Sequence, residues 1–436
     1  MKTTLKTATT SILFALLAAA CGGTDPDTFD TDEQTAEPAA DEEVASADVA
    51  PGDDVHRDLT VVTPIEAMRR RQMLRDYELE LRAGLDIRAT TVTPTGRVVD
   101  WIDPASQVPD GELASPPPND DSPELVDPVV SELELPDAEL GPEGTVPIFR
   151  LDVDRIEDED LPDSIESFLT MHGKKGLPES STPNIGFSDS THTHYHAGYS
   201  QTVLNWGTDG VLSVKSPYVY GYDEFSLGQF AVYRGTGSGR QTIEAGWQKY
   251  PSFYGDNYPH LFTYFTTVNY TQNQNYVGGY NERVRGFIRY GSSGLVPEAA
   301  LVSGTELAIE ALQYQGNWWI KARGEWIGYY PGWMFSSAGL RDSAAGVMWF
   351  GEVTDYRYDW VMTYTYMGTG TSSGSGAAYM KNLRTQGTTA KSSFAQQTPV
   401  AEKPVCYSAK GSAWTAGANG SNFTYGGKGA HTLGCY

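Results

Sequence analysis

From Ile185 onward the chain is built of short runs rich in Tyr, Trp, Phe, Val and Thr, cut by glycine turns. Examples are 212–215, 230–234, 260–268, 284–290, 318–323 and 360–367. Residues that alternate in polarity over such lengths suit a half-buried strand, and glycine between them suits tight turns. This pattern predicts an all-β sandwich or barrel spanning residues 181–436. Leu307–Leu312 reads as either a short helix or a strand.

The preceding part differs in charge. The chain carries a formal charge of −25, with 56 acidic and 31 basic side chains. Residues 22–180 hold 40 of those acids and 12 of the Lys and Arg residues, a local charge of −28, whereas 181–436 is close to neutral. With no basic stripe anywhere, nucleic acid is not an expected partner.

Residues 1–20 read as an export signal: Lys2 and Lys6, then an apolar run ending Leu-Leu-Ala-Ala-Ala before Cys21. Lipidation of Cys21, and with it a lipid anchor, is the expectation, placing the protein outside the cytoplasm as a surface lipoprotein or a secreted product. Residues 21–62 form an acidic tether poor in core formers. Within 63–180, Thr63, Pro64 and Glu66 are set out as a helix start, with apolar residues following to Leu81 and Gly84 as the stop. Thr90–Ile102 predicts a hairpin turning at Pro94-Thr95-Gly96. Pro104–Pro147 predicts an extended stretch outside any core, and Ile165–Met171 a further helical piece. This acidic segment, partly helical and partly disordered, is too poor in apolar residues to bury a large core, so it is expected to dock on the β domain or to be cut away.

Cys406 and Cys435 are the pair left for a disulfide once Cys21 is assigned to the signal. Gly370-Thr-Ser372-Ser-Gly374 matches a nucleophile-elbow pattern, but its Gly/Ser-rich all-β setting lacks the strand-to-helix turn such a serine needs. Gly235-Thr-Gly237-Ser-Gly239 reads as a hairpin turn. His192, His194 and His196 alternate, so on a strand their rings share one face. With no further ligand cluster they predict packing at the start of the domain and not a metal centre.

Glu244 and Glu352 stand out, 108 positions apart, each inside a strand-like aromatic run with glycine close by: Glu244-Ala-Gly246-Trp247 and Trp349-Phe-Gly351-Glu352. A carboxylate on a buried strand is unfavourable unless it is paired or used. Two that meet could share a proton, one taking a proton from water and the other giving one up. Such a pair serves peptide or glycoside hydrolysis.

At these residues the chain resembles the neprosin family of glutamic, post-proline-cleaving peptidases. The likeness rests on Ile243-Glu244-Ala-Gly-Trp247-Gln, Pro251-Ser-Phe-Tyr254-Gly-Asp256, Leu261-Phe-Thr-Tyr264, Gly316-Asn-Trp318-Trp319, Ile327-Gly-Tyr329-Tyr-Pro331, Phe350-Gly351-Glu352-Val353 and the tail with Cys406-Tyr407, Tyr425-Gly426-Gly427 and Cys435. It covers roughly 186–436, with Pro94–Ile102 similar to the family's activation segment. The resemblance implies a sandwich of two antiparallel sheets, Glu244 and Glu352 as the catalytic pair, no metal or other cofactor, and a zymogen that matures in acid. Trp247, Tyr254 and Tyr264 are the candidate residues for gripping proline-containing peptide or protein substrates. The acidic pro-segment is the expected intramolecular inhibitor, with self-processing between Pro142 and Pro183, for which Pro142, Pro147, Pro162 and Pro178 offer sites. The alternatives are a glycoside hydrolase using the same carboxylates and a non-catalytic binding module with an aromatic groove.

Overall fold

Residues 241–249 show how the sequence makes this fold. Ile243, Ala245 and Trp247 point to one side and are fully buried in the main core, while Thr242, Glu244 and Gln248 point to the other. Period-two alternation of this kind is what a sheet with chemically distinct faces requires.

A computed structural model describes residues 62–118, 128–158, 161–171, 187–188, 192–221, 223–292, 294–356, 362–395, 398–411 and 420–435. The chain divides into Met1–Asp54, which lies outside the described residues with the expected signal, Cys21 and most of the tether, and Val55–Tyr436.

Helix α1 (Pro64–Arg82) starts where its capping residues predict. The Thr63 hydroxyl accepts from the Glu66 amide at 3.3 Å, and Pro64 occupies the first turn. A hairpin follows, β1 (Ile87–Val92) and β2 (Val98–Ile102), joined by β3 (Val146–Phe149) into a three-stranded antiparallel sheet. The third strand corrects the expectation that Pro104–Pro147 ends without core contact. Val146 and Ile148 are buried, and at 128–135 Val129, Ser131, Glu132 and Leu133 are buried as well. Helix α2 (Ile165–Met171) lies where expected.

The strands of the β domain are β4 (Phe187–Ser188), β5 (His192–Asn205), β6 (Gly207–Ser213), β7 (Ser226–Arg234), β8 (Gln241–Lys249), β9 (His260–Thr266), β10 (Gly278–Tyr280) and β11 (Ile288–Arg289). They continue as β12 (Glu306–Tyr314), β13 (Asn317–Ala322), β14 (Glu325–Pro331), β15 (Ala344–Tyr356), β16 (Ala378–Gln386), β17 (Lys391–Ser393), β18 (Thr398–Ala401), β19 (Ser408–Gly411) and β20 (Ser421–Gly426). Helix α3 (Pro251–Tyr254) follows β8.

One antiparallel sheet runs β10-β9-β8-β7-β15-β5-β18, with β4 on β5; the other runs β11-β14-β13-β12-β6-β16-β20-β19, with β17 on β16. They stack face to face. Phe230, Ile243, Trp247, Val347 and Trp349 from the first interdigitate with Leu212, Ile309, Ile320, Met380 and Phe423 from the second, and the Trp349 indole donates to the Thr208 hydroxyl at 3.0 Å across the gap. This is the antiparallel β-sandwich the strand pattern predicted. Cys406 and Cys435 are disulfide-bonded and buried in the same core.

Leu307–Leu312 resolves as strand, inside β12. The stretch 284–290 keeps only Ile288–Arg289 as strand. The strand expected over Trp360–Met367 does not form at 362–366, and 360–361 lie outside the described residues. There the Thr363 and Thr365 hydroxyls donate to the Glu224 carboxylate, and the Thr363 carbonyl accepts from Ala430 at 2.9 Å, so a side-chain-satisfied loop replaces a ladder. Gly370–Gly374 lies in turns, and Gly237–Gly239 forms a single 3-10 turn.

Contacts from residues 62–171 tie this segment to the sandwich. Tyr77 donates to the Arg283 carbonyl at 2.7 Å, Glu132 exchanges two 2.9 Å bonds with Ala300, and Arg323 holds Glu134. Arg97, only 2% exposed, pairs with Glu298 at 2.9 Å. That last pair places the base on the acidic segment and the acid on the β domain.

Candidate active site

Glu244 and Glu352 rise from the same face of the same sheet. Glu244 on β8 sits opposite Ala231 of β7, and Glu352 on β15 sits opposite Leu227 of β7. Ala231 and Leu227 are an even number of residues apart, so their side chains point the same way. That face is turned away from the inter-sheet core. It carries an aromatic cluster of Phe225, Tyr250, Phe253, Tyr254, Phe262, Tyr264, Tyr270, Tyr280 and Phe350. The carboxylates lie diagonally across β7, with Gln229 between them in register with Gly246 and Phe350. They converge on Tyr264 and Tyr280, whose rings are 4.7 Å apart. Burial first, and then both carboxylates, push each of these phenols well above its usual range.

Each glutamate is buried (0% and 1% exposed), so each must be satisfied from within. Glu244 accepts from the Tyr270 hydroxyl at 2.5 Å and the Thr242 hydroxyl at 3.0 Å on one oxygen, and from the Gln229 amide at 2.9 Å on the other. Tyr270 reaches it from a backbone at φ 63°, a conformation costly for a bulky side chain. Its amide is held by the Thr266 hydroxyl at 3.0 Å.

Glu352 is served differently. His194 Nδ1 lies 2.8 Å from its Oε1, and His196 Nε2 lies 3.6 Å from its Oε2. His196 Nδ1 in turn lies 3.1 Å from the Glu402 carboxylate, whose other oxygen accepts the His196 backbone amide at 2.8 Å. His192 faces Asp223 at 3.1 Å. The three rings do share one strand face, as their alternation predicts, but His194 and His196 meet Glu352 while His192 meets Asp223, so the three do not gather on one point. Burial, opposed by the Glu352 hydrogen bond, draws the His194 imidazole below its usual range, so it is neutral at neutral pH.

The glycines beside the dyad earn their place by close packing. A Cβ on Gly351 would lie 2.3 Å from the Tyr425 ring of the facing sheet, and one on Gly246 would lie 2.0 Å from the Gly228 carbonyl of β7.

Of the residues expected to grip substrate, Tyr264 and Tyr254 lie in the aromatic cluster on the dyad's face. Tyr264 stacks on Tyr270 with centroids 5.7 Å apart and donates to Asn273 at 2.9 Å; Tyr254 stacks on His260 at 3.9 Å and donates to Gln248 at 3.2 Å. Trp247 does not belong with them. It is an odd number of residues from Glu244, so it points into the inter-sheet core, where it is fully buried. The residues that sequence reasoning did not connect to the dyad are Gln229, Tyr270, Tyr280, His194, His196 and Glu402. The even spacing of the histidines was a signal, but their pairing with Glu352 depends on β5 lying beside β15 in the register His196↔Glu352.

The protein is thus a two-layer antiparallel sandwich with a buried glutamate pair on the outer face of one layer. The sequence pattern of the neprosin family matches residues 222–428. The match supports a peptidase hydrolase. Among solved structures, scytalido-glutamic peptidase with a peptide-based transition-state analogue aligns over 54% of this chain and 98% of its own at 10% identity and a TM-score of 0.30. Sheep galectin-11 in complex with glycerol aligns over 36% and 96% at 12% identity and a TM-score of 0.22. Both scores fall below the range in which a common fold follows.

Proposed function

We propose that this protein is the precursor of a glutamic endopeptidase that cleaves after proline at acidic pH, with Glu244 and Glu352 acting on one water. The observation that carries the reading is the placement of both glutamates, buried and hydrogen-bonded, on one aromatic face of one sheet within the neprosin match. One carboxylate takes the water proton as the water oxygen attacks the scissile carbonyl. The other, protonated, stabilises the developing oxyanion and the proton is returned to the leaving nitrogen. Because the pair works only while it shares a proton, activity belongs to the acid range. Flat aromatic rings such as Tyr264 and Tyr254 suit a proline ring.

The segment 62–171 acts as the inhibitor in this reading. Asn273, which accepts from Tyr264, donates to the Leu169 carbonyl of α2 at 2.9 Å, bringing the segment to the edge of the dyad's face. Pro147 and Pro162 are buried, so of the described candidate cleavage sites Pro142 alone is exposed; Pro178 and Pro183 lie outside the described residues. Export, a lipid anchor at Cys21 and release after processing complete the proposal, on the strength of residues 1–21.

Mass spectrometry of a peptide library digested at several pH values tests it. Cleavage after proline in acid, unaffected by chelators and lost in Glu244→Gln and Glu352→Gln, is the expected result. Release of reducing sugar without peptide cleavage would instead select a glycosidase. Full-length Glu244→Gln that still matures unaided would remove self-processing.

A further inference from the structure

The two glutamates have chemically different partners. The hydroxyls of Tyr270 and Thr242 and the amide of Gln229, which hold Glu244, keep their protons throughout the working range of an acid peptidase. Glu352 faces two imidazoles, groups that gain and lose protons between about pH 5 and 8 in ordinary surroundings. We propose that Glu402, His196 and Glu352 form a carboxylate–imidazolium–carboxylate bridge that orients Glu352 and makes it the proton-handling member of the pair, His196 and Glu402 being positioning residues. This inference rests on the peptidase reading and assigns roles within it.

The Glu402–His196 link is hydrogen-bonded, and the His196–Glu352 link is an ion-pair contact at 3.6 Å, longer than a hydrogen bond. Glu402 binds both the His196 amide (2.8 Å) and Nδ1 (3.1 Å), which fixes the ring with Nδ1–H toward Glu402 and Nε2 toward Glu352. His196 is 1% exposed and Glu402 5%, and the Phe350 ring packs edge-on against the imidazole at 5.3 Å, so the ring cannot swing away. A buried imidazolium between two carboxylates balances one negative charge outright and leaves one to be shared, an arrangement far less costly than two unpaired anions. His194 completes the clasp with Nδ1 2.8 Å from Oε1, its ring packed edge-on to Phe225 at 6.0 Å. The other titratable groups that face Glu352 are the Tyr264 and Tyr280 phenols, Glu244 across β7, and, beyond His194, His192 with Asp223.

In the reaction the water proton passes to Glu352 as the water oxygen bonds to the carbonyl carbon. The same proton leaves Glu352 for the amine nitrogen as the C–N bond breaks. His196 keeps its own proton throughout and holds Glu352 in line. Glu244, the protonated member of the pair, donates its own proton in a hydrogen bond to the carbonyl oxygen and is not the water's base.

The test uses the full-length chain in two arms. In the first, the His196 ring is titrated by NMR in wild type, Glu402→Gln and Glu352→Gln. Loss of either carboxylate is expected to lower its midpoint by about one pH unit. A ring that stays neutral from pH 4 to 8 in wild type, or a midpoint unmoved in both variants, overturns the bridge. In the second, the pH profile of peptide cleavage is recorded. Glu402→Gln is expected to cut kcat about tenfold with KM little changed, and to move the alkaline limb down by about one unit. Thr242→Val is expected to lower kcat with that limb in place. A Glu402→Gln enzyme whose limb does not move overturns the role assignment. If wild type cleaves no peptide at any pH, the peptidase reading fails, while the NMR arm still decides whether the bridge exists.

Discussion

Tyr270 donates a 2.5 Å hydrogen bond to Glu244 from a backbone held at φ 63°, so a strained turn delivers the donor that fixes one half of the carboxylate pair. Burial first, then the Glu244 charge and hydrogen bond, push the Tyr270 phenol well above its usual range, which keeps it a donor at every working pH. Tyr270→Phe removes one of the hydrogen bonds that Glu244 accepts without changing the packing. Peptide cleavage is expected to fall about tenfold, whereas Glu244→Gln and Glu352→Gln are expected to lose about 10³-fold or more. Steady-state kinetics beside a circular dichroism spectrum separates loss of function from loss of fold.

Gly351 precedes Glu352 and lets the Tyr425 ring lie against the backbone. Gly351→Ala places a methyl 2.3 Å from that ring in a close-packed core. A loss of about 2 kcal/mol is expected. Chemical denaturation measures it, and stability within a few tenths of wild type would show that the two sheets separate more easily than their packing implies.

Arg97 is the buried link between the β1–β2 hairpin and the sandwich, bound to Glu298 and lying over the rings of Phe149 and Tyr254 at 4.3 and 5.9 Å. Glu298 keeps Arg283 at 2.7 Å when Arg97 is removed, so the sandwich itself is little affected. Arg97→Ala is expected to loosen the segment's attachment by about 3 kcal/mol. Limited proteolysis at the exposed Pro142 region reads this out, with faster nicking in the variant.

Acid acts in opposite directions on the two parts. Burial pushes the Asp100 carboxyl up, but hydrogen bonds from Arg150 and Thr90 and the charge of Arg82 carry it below its usual range. Its stabilising contribution is therefore present above the unfolded value, about 3.9, and is lost as pH falls below it. Burial pushes Glu282 up to about 8, only partly opposed by Arg289. Its contribution is complete below an unfolded value of about 4.3 and is lost as pH rises through about 8. From pH 7 to pH 3 the three-stranded sheet of the acidic segment loses stability while the Glu282 region gains it. Hydrogen exchange at both pH values is expected to show 87–102 opening before 288–331, and Asp100→Asn is expected to abolish the acid dependence at 87–102.

What the sequence determined by itself was local. Period-two alternation set the strands and sorted their faces, Thr63, Pro64 and Glu66 set the start of α1, and two glutamates on buried strands demanded a use. Where side chains could satisfy the backbone as well as a ladder, as at Thr363 and Thr365, local pattern misled. Trp247 lies in the core because its odd spacing from Glu244 turns it to the other face of β8, which aromatic character alone does not reveal. Only the tertiary structure decided that β5 lies beside β15, bringing His194, His196 and Glu402 around Glu352, and that Tyr270 turns back onto Glu244. Strand order and register are set by contacts between residues far apart in the chain, and no short window of sequence contains them.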